Sequence, residues 1–400
     1  MTATADFLIV GGGVIGLNLA LEARRRYPGA RVVVWEKETA VGLHASGRNS
    51  GVLHAGFYYT ADSLKARFCR EGNRELTAYC LERGLRINRC GKLVVARSAA
   101  DLPAMDELLR RGRANGVELE EWTAGQARKL EPRVRTWEKA LYSPTTASVD
   151  PKEVLAALVA DARRAGVEIR TGTPFTGWRD GVASSGTTTL AVGYVINAAG
   201  LYADRIAARF GFGGEYAILP FKGLYLYSDE PPGAFKTHIY PVPDLANPFL
   251  GVHYTITVDG RAKVGPTAIP AFWREHYQGL TGFRADEFLD VVRRELGLLL
   301  RNDFGFRSLA LQEMRKYRKG WMVRLAGELA SGVQPANYRR WGPPGVRAQL
   351  IHLGQRRLEN DFRYVGDARS FHVLNAVSPG FTCAMPFSRH LFDRIEGVGA

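Results

Sequence analysis

The stretch "DFLIVGGGVIGLNLALEARRRYPGARVVVWEK", residues 6–37, decides the fold. It opens on a short apolar strand-like run and passes through a glycine turn. Apolar residues then recur at helical spacing until Pro28-Gly29 stops the helix. "ARVVVWEK" reads as a second strand, so the segment is one βαβ unit. Gly11, Gly13 and Gly16 form a G-x-G-x-x-G pattern between strand and helix. The first glycine permits the tight turn, the second lets backbone N–H groups approach a pyrophosphate, and the third allows close helix–strand packing. Val14 and Ile15, inside the pattern, join the candidate contacts. Glu36 stands 20 residues beyond Gly16, at the end of the second strand. A carboxylate there accepts both hydroxyl hydrogens of an adenosine ribose and disfavours a 2′-phosphate, which argues against NADP.

FAD and NAD share that adenosine half, and three features favour FAD. The fingerprint sits at the N-terminus; "INAAG" near 200 and "VSPGFT" near 380 place two further small-residue turns at strand ends; and "HASGRNSGVLHAGFYY", residues 44–59, offers a third. The cofactor set is therefore read as the fingerprint with Glu36 and Lys37, Ser46, Gly47, Arg48, Asn49, Ser50 and Gly51. Phe175, Ala199, Gly200, Ser378, Gly380, Phe381 and Thr382 complete it.

Working outward, a helix is expected from about Ser63 to Arg83, with Gly84 as its C-terminal cap. "SVDPKEVLAALVADARRAGVEIRTGT" gives a helix start at Asp150-Pro151 and a following strand, and "GYVINAAGLYADRIAARF" repeats the strand, turn and helix logic. From about 216 to 344 short strands broken by Pro and Gly suggest an antiparallel sheet with covering helices. The fold class is α/β, α+β over the whole chain, and discontinuous. Residues 1–90, 145–215 and 345–400 are assigned to a Rossmann-like FAD-binding domain, and 91–144 and 216–344 to a substrate-binding domain.

Composition bounds the function classes. The chain has 400 residues, 46% of them hydrophobic, enough for two domains with sizeable cores. Four cysteines without C-x-x-C spacing make neither a disulfide scaffold nor a zinc site, and no metal is expected. No secretory signal and no stretch of the length a membrane-spanning helix needs is visible, so a cytoplasmic setting is expected, any membrane contact being peripheral and at the inner face. The formal charge of +14 comes from arginines scattered through the chain. Solvated helix faces, attraction of anionic substrates and adhesion to anionic lipid all fit that charge. Nucleic acid does not, because no recognition signature accompanies it.

At this point the chain resembles the D-amino-acid-oxidase-like FAD-dependent oxidoreductases, with the glutathione-reductase-2-like architecture, and within them the L-2-hydroxyglutarate dehydrogenase/oxidase family. The resemblance rests on "DFLIVGGGVIGL", "HASGRNSGVLHAGFYYTADSLKARFC", "CGKLVVA", "AAGLYADRIA", "IYPVPDLANPFLGVHYT", "GPTAIPAFWREHY" at 265–277 and "GPPGVRAQ" at 342–349. It implies a two-domain fold, bound FAD, and oxidation of L-2-hydroxyglutarate to 2-oxoglutarate with electrons passing to a quinone or to dioxygen. The family usually has Arg and an acidic residue where this chain has Lys222 and Leu224, and a different tail at "SPGFTCAMPF". These departures leave an amino-acid or amine oxidase on the same fold as the alternative.

Hydride transfer from a hydroxyl carbon also requires a proton acceptor, and neutral histidine suits that task near pH 7. His54 and His253 fall in family motifs and are the catalytic candidates; relatives with a histidine covalently bound to flavin give His54 a second possible role. A dicarboxylate needs cationic anchors, for which Arg347 and Lys222 are the candidates, with Tyr59, Tyr240 or Tyr254 as hydroxyl donors.

Overall fold

A computed structural model describes residues 4–245 and 251–398; residues 246–250 of the motif "IYPVPDLANPFLGVHYT" lie outside it. The chain divides into two compact units, residues 1–48, 151–220 and 347–400, and residues 49–150 and 221–346.

The first unit is built on parallel strands. Thr4–Val10 lies between Val32–Trp35 and Thr188–Asn197; Glu168–Arg170 extends the sheet beyond the former, and Ser370–Asn375 beyond the latter. Nearly continuous apolar runs such as Leu8, Ile9 and Val10 are what strands covered on both faces require. Leu8, Val10, Val33, Trp35, Leu190, Val195 and Ile206 form one core cluster. Helix Val14–Arg26 packs against helices Pro151–Arg164 and Gly380–Val398. Arg26 joins it to the last of these through Asp393 at 2.6 Å and Glu396 at 2.5 Å.

The second unit holds an eight-stranded sheet in the order Arg340–Trp341, Leu226–Tyr227, Ala262–Gly265, His253–Ile256, His238–Pro241, Lys92–Val95, Lys139–Ser143, Glu120–Thr123. Its pairs are antiparallel except for His238–Pro241 with Lys92–Val95, which run parallel. The expected purely antiparallel sheet is thus interrupted where two chain pieces far apart in sequence meet. Two domain boundaries also differ from expectation. Val52–Leu53 pairs with Ala147–Val149, which pairs in turn with Ile87–Asn88, forming a three-stranded sheet against which helix Leu64–Glu82 packs. Residues 49–90 and 145–150 therefore belong to the second unit. Ser63 caps that helix by accepting from the Ala66 N–H at 3.1 Å. No helix among the described residues is long and apolar enough to cross a membrane.

Candidate functional site

In the first unit three neighbouring parallel strands each end in a small-residue turn. Thr4–Val10 leads into Gly11–Gly13, Thr188–Asn197 into Ala198–Gly200, and Ser370–Asn375 into Ser378–Gly380, all at carboxyl ends of strands, where open α/β sheets bind ligands. Gly11 has φ +109°, and a Cβ there would lie 2.6 Å from the Ala198 carbonyl oxygen. A Cβ on Gly16 would come to 1.9 Å from the Gly11 carbonyl oxygen. The turn is therefore closed to any side chain at these positions, and the backbone itself forms the wall of the cradle.

Glu36 is buried and fixed by two backbone donors: its Oε2 accepts from the Gly12 N–H at 2.8 Å and its Oε1 from the Glu38 N–H at 2.9 Å. Each oxygen keeps a second lone pair, which suits a ribose diol. Ser46 Oγ accepts from the Val14 N–H at 3.0 Å, and Ile15 is buried behind the turn. Lys37 pairs with Glu38 and lies 5.3 Å over the Tyr202 ring. Gly47 follows Ser46 in a short 3-10 turn, and Arg48 donates to the Leu43 carbonyl at 2.6 Å, which holds it on its own loop. The Ala199 N–H donates to Asn197 Oδ1 at 3.1 Å, and Gly200 has φ +53°. The Thr173 N–H donates to the Glu36 carbonyl at 2.8 Å, bringing the chain ahead of Phe175 to the end of the second strand. Phe381 and Thr382 stand in the first turn of helix Gly380–Val398. The glycine cradle, the helix N-terminus and the fixed carboxylate fit the adenosine diphosphate half of FAD. Asn49, Ser50 and Gly51 belong to the other unit: Gly51 donates to Asn49 Oδ1 at 2.8 Å, and the Ser50 carbonyl accepts from Lys263 at 3.1 Å.

In the second unit the sheet sorts its side chains by the two-residue alternation of strands. The register pairs His238 with Lys92, His253 with Gly265 and Thr255 with Lys263, while Ile239 pairs with both Leu93 and Tyr254. One face therefore carries Lys92, His238, Tyr240, His253, Thr255 and Lys263. The other carries Leu93, Ile239, Tyr254 and Val264, part of an apolar cluster that includes Phe235 and Tyr338. Tyr254, stacked on Phe235 at 4.4 Å, faces away from His253, so the expectation of a substrate hydroxyl there is corrected.

On the polar face His253 lies flat on Tyr240, with ring centroids 3.6 Å apart and an interplanar angle of 13°. Lys92 is fully buried, and its Nζ has no hydrogen-bond partner among the described residues. It sits 4.4 Å from the Tyr240 ring centroid, 5.1 Å from that of Tyr58 and 5.3 Å from that of Phe57, an aromatic cage that partly replaces water. Burial pushes its ammonium down to about 7. His54, half-buried, is pushed down to about 3, chiefly by burial and then by the Lys92 charge, and is neutral at pH 7. His238 accepts the Ile256 N–H on Nδ1 at 3.0 Å, which fixes a neutral imidazole with its proton on Nε2; burial and Lys92 hold its pKa well below the usual histidine value. Lys263 is buried 4.6 Å from the Tyr225 ring centroid and is pushed down to about 8 by burial.

Lys222 is buried on strand Tyr216–Gly223, held at about 8 by burial, and lies near His276 rather than in the Lys92 group. The Tyr59 carbonyl accepts from Asn115 at 3.0 Å and its ring lies 5.9 Å from the Lys65 ammonium. Arg347 stands half-buried on strand Gly345–His352, in the last piece of the first unit. Sequence reasoning missed Lys92 and Lys263. Their signal was present: in "GKLVV" and "RAKVG" a lysine interrupts a strand whose other residues are apolar or small.

A dinucleotide cradle in one unit and a buried cationic and imidazole face in the other define a flavin-dependent oxidoreductase. Residues 6–394 match the family model described as "FAD dependent oxidoreductase" (DAO). The L-2-hydroxyglutarate dehydrogenase of Escherichia coli K12 is 35% identical over 402 residues, covering 98% of this chain and 93% of that protein. The human mitochondrial L-2-hydroxyglutarate dehydrogenase is 34% identical, covering 99% and 89%. Among solved structures, an FAD-bound L-α-glycerophosphate oxidase from Mycoplasma pneumoniae superposes with a TM-score of 0.78 at 22% identity, covering 99% of this chain and 95% of that one. A glycine oxidase from Geobacillus kaustophilus gives 0.72 at 21%, with the same coverage. The chain belongs to the DAO family of FAD-dependent oxidoreductases and, within it, groups with the L-2-hydroxyglutarate dehydrogenases.

Proposed function

We propose that this protein oxidises the hydroxyl carbon of L-2-hydroxyglutarate to the ketone of 2-oxoglutarate, its electrons passing through FAD to a quinone or to dioxygen. The observation that carries this reading is the polar sheet face, where two buried lysines and two histidines gather on one side of a sheet whose other side is apolar. FAD, when bound, accepts the hydride that leaves the hydroxyl carbon.

The chain's own residues handle the proton and the charge. His54 is neutral at pH 7 and so able to accept the hydroxyl proton; the carboxylates of an arriving dianion raise its pKa from about 3, toward the range where a base works best. His253, held flat on Tyr240, is the alternative acceptor. Lys92 and Lys263 give that face a positive potential suited to a dicarboxylate. Arg347 and Lys222 are the candidate carboxylate anchors. The amine-oxidase alternative draws on Leu224, a buried apolar side chain that replaces the family's usual acid.

Anaerobic mixing with L-2-hydroxyglutarate is expected to bleach the flavin's visible absorbance, while amino acids and amines leave it unchanged. Bleaching by an amine alone would replace the hydroxy-acid reading. For Arg347→Ala the expected result is a fall in kcat/KM equivalent to about 2–5 kcal/mol with FAD still bound, the cost of removing one partner of a desolvated pair. An unchanged kcat/KM removes Arg347 from the anchors.

A further inference from the structure

The loop that carries His54 is held by its carbonyl oxygens. Between Leu53 and Tyr59, the carbonyls of Leu53, His54, Gly56, Tyr58 and Tyr59 each accept a side-chain donor, and the donors come from two helices. From helix Leu64–Glu82, Asn73 Nδ2 donates to the Leu53 carbonyl at 3.1 Å and Cys69 Sγ to the His54 carbonyl at 3.1 Å. From helix Leu102–Ala114 and its capping residue, Arg111 donates to the Tyr58 carbonyl at 2.9 Å, and Asn115 Nδ2 to the Gly56 and Tyr59 carbonyls, both at 3.0 Å. Cys69 with Asn73 and Arg111 with Asn115 are spaced i, i+4, so each helix presents its donors on one face.

A buried loop needs its carbonyls paired, and that alone accounts for some of these bonds. Asn115 goes further. Its Nδ2 uses both hydrogens on the loop, while its Oδ1 is buried with no hydrogen-bond partner among the described residues. The amide cannot turn over to relieve this, because Oδ1 would then face two carbonyl oxygens. An orphaned buried acceptor destabilises the fold, so the contacts at the other end of the amide are kept at a cost. The aim of the side chain is fixed as well. Asn115 caps the helix, Gly116 follows at φ +62°, and the Val117 and Gly116 N–H groups bond back to the Gly112 and Arg113 carbonyls at 2.9 and 3.0 Å, a Schellman ending. Arg70 Nη1 donates to the Asn115 carbonyl at 2.9 Å and ties the two helices together. The loop also lies close against the first helix, since a Cβ on Gly56, at φ +106°, would stand 3.2 Å from Cys69 Cβ.

We propose that Asn115 is a positioning residue for His54: together with Cys69 it fixes loop 53–59 so that the imidazole meets the substrate hydroxyl in one orientation. Asn115 acts through the backbone that follows His54, and Cys69 through the His54 carbonyl itself. The inference rests on the reading of His54 as the proton acceptor. A general base must lie within hydrogen-bond reach of the proton it takes, and a misplacement of about 1 Å can cost on the order of a hundred-fold in rate.

The test is a double-mutant cycle on the FAD-loaded protein, read as the rate of anaerobic flavin reduction by L-2-hydroxyglutarate. Asn115→Ala is expected to slow reduction by about ten-fold or more with flavin content unchanged. His54→Asn is expected to slow it more, and Asn115→Ala added to His54→Asn is expected to cost nothing further, because no base is left to position. Cys69→Ala, which removes only the donor on the His54 carbonyl, is expected to follow the same pattern, with Cys69→Ser, which keeps a donor, recovering part of the rate; this pair carries the test if Asn115→Ala does not fold. Equal fold losses in the two backgrounds overturn the positioning role, since a structural defect slows both alike. So does a parent-like rate in Asn115→Ala. A His54→Asn protein that reduces its flavin at the parent rate overturns instead the reading of His54 as the base, and the inference with it.

Discussion

A Gly16→Ala variant is expected to purify without yellow colour. The added Cβ would stand 1.9 Å from the Gly11 carbonyl oxygen, and the obstacle is backbone, not a flexible side-chain end. To make room, the turn 11–16 has to separate from the helix, but Gly11 is itself held against the Ala198 carbonyl on the neighbouring turn. Overpacking alone costs about 1–3 kcal/mol. The larger expected loss is functional, because shifting this turn would misalign the N–H groups proposed to face a pyrophosphate. FAD retention is expected to fall by about a hundred-fold or more, an estimate from losing several aligned donors at roughly 1.5–3 kcal/mol each. The measurement is the flavin-to-protein absorbance ratio. Gly29→Ala, where a Cβ meets nothing within 4 Å, is the matched control and should keep its flavin. Full flavin content in Gly16→Ala would remove the cradle from this turn.

The second large effect concerns Lys92→Met, and its signature is a pair of opposite changes. Methionine keeps the length and polarisability that the Phe57, Tyr58 and Tyr240 cage expects and deletes the charge. Lys92 is sealed from solvent, so the effect expected of it on a substrate anion is that of a charge acting at a distance. Two unit charges about 10 Å apart at an effective dielectric of about 20 interact by roughly 1.7 kcal/mol. kcat/KM for the dianion is therefore expected to fall about ten-fold at pH 6. Since the ammonium titrates at about 7 in the folded protein, that advantage of the parent shrinks as pH rises through 7 and is nearly gone above 8. Stability moves the other way. A lysine whose folded pKa lies below its unfolded value destabilises the fold wherever the unfolded chain holds the extra proton, so the cost is present at neutral pH and fades as pH climbs toward the unfolded value. Lys92→Met is expected to melt at a higher temperature than the parent at pH 7. Lower activity together with a lower Tm would mean the lysine is only structural, and a pH-independent activity ratio would remove its electrostatic role.

Much of the first unit was legible because its signals are local. The fingerprint, the helix stop at Pro28-Gly29 and the Glu36 spacing all lie within 32 residues, and each is a rule about neighbouring positions. The second unit was less so. No local pattern says that strand His238–Pro241 will run parallel beside Lys92–Val95, nor that Val52–Leu53 will pair with Ala147–Val149, because those pairings join pieces about a hundred residues or more apart. The Tyr254 expectation failed for the same reason. His253 and Tyr254 are adjacent in sequence and lie in one motif, yet a strand sends them to opposite faces. Lys92 and Lys263 were visible as lysines in apolar strands, but only register shows that they share a face with the histidines.

The first unit is assembled from three separated pieces, and its central strand Thr4–Val10 completes its neighbourhood only when Thr188–Asn197 pairs beside it and Ser370–Asn375 beside that. Contacts of such sequence separation form late, because the intervening loop must be closed before they repay its entropy. During synthesis the glycine turn after Thr4–Val10 therefore emerges long before the third of the adjoining turns, at Ser378–Gly380, which lies far downstream of it in the chain. FAD capture is thereby expected to wait for the last of these turns: a nascent chain that has not yet reached Ser378–Gly380 lacks one of the three turns proposed to hold the cofactor.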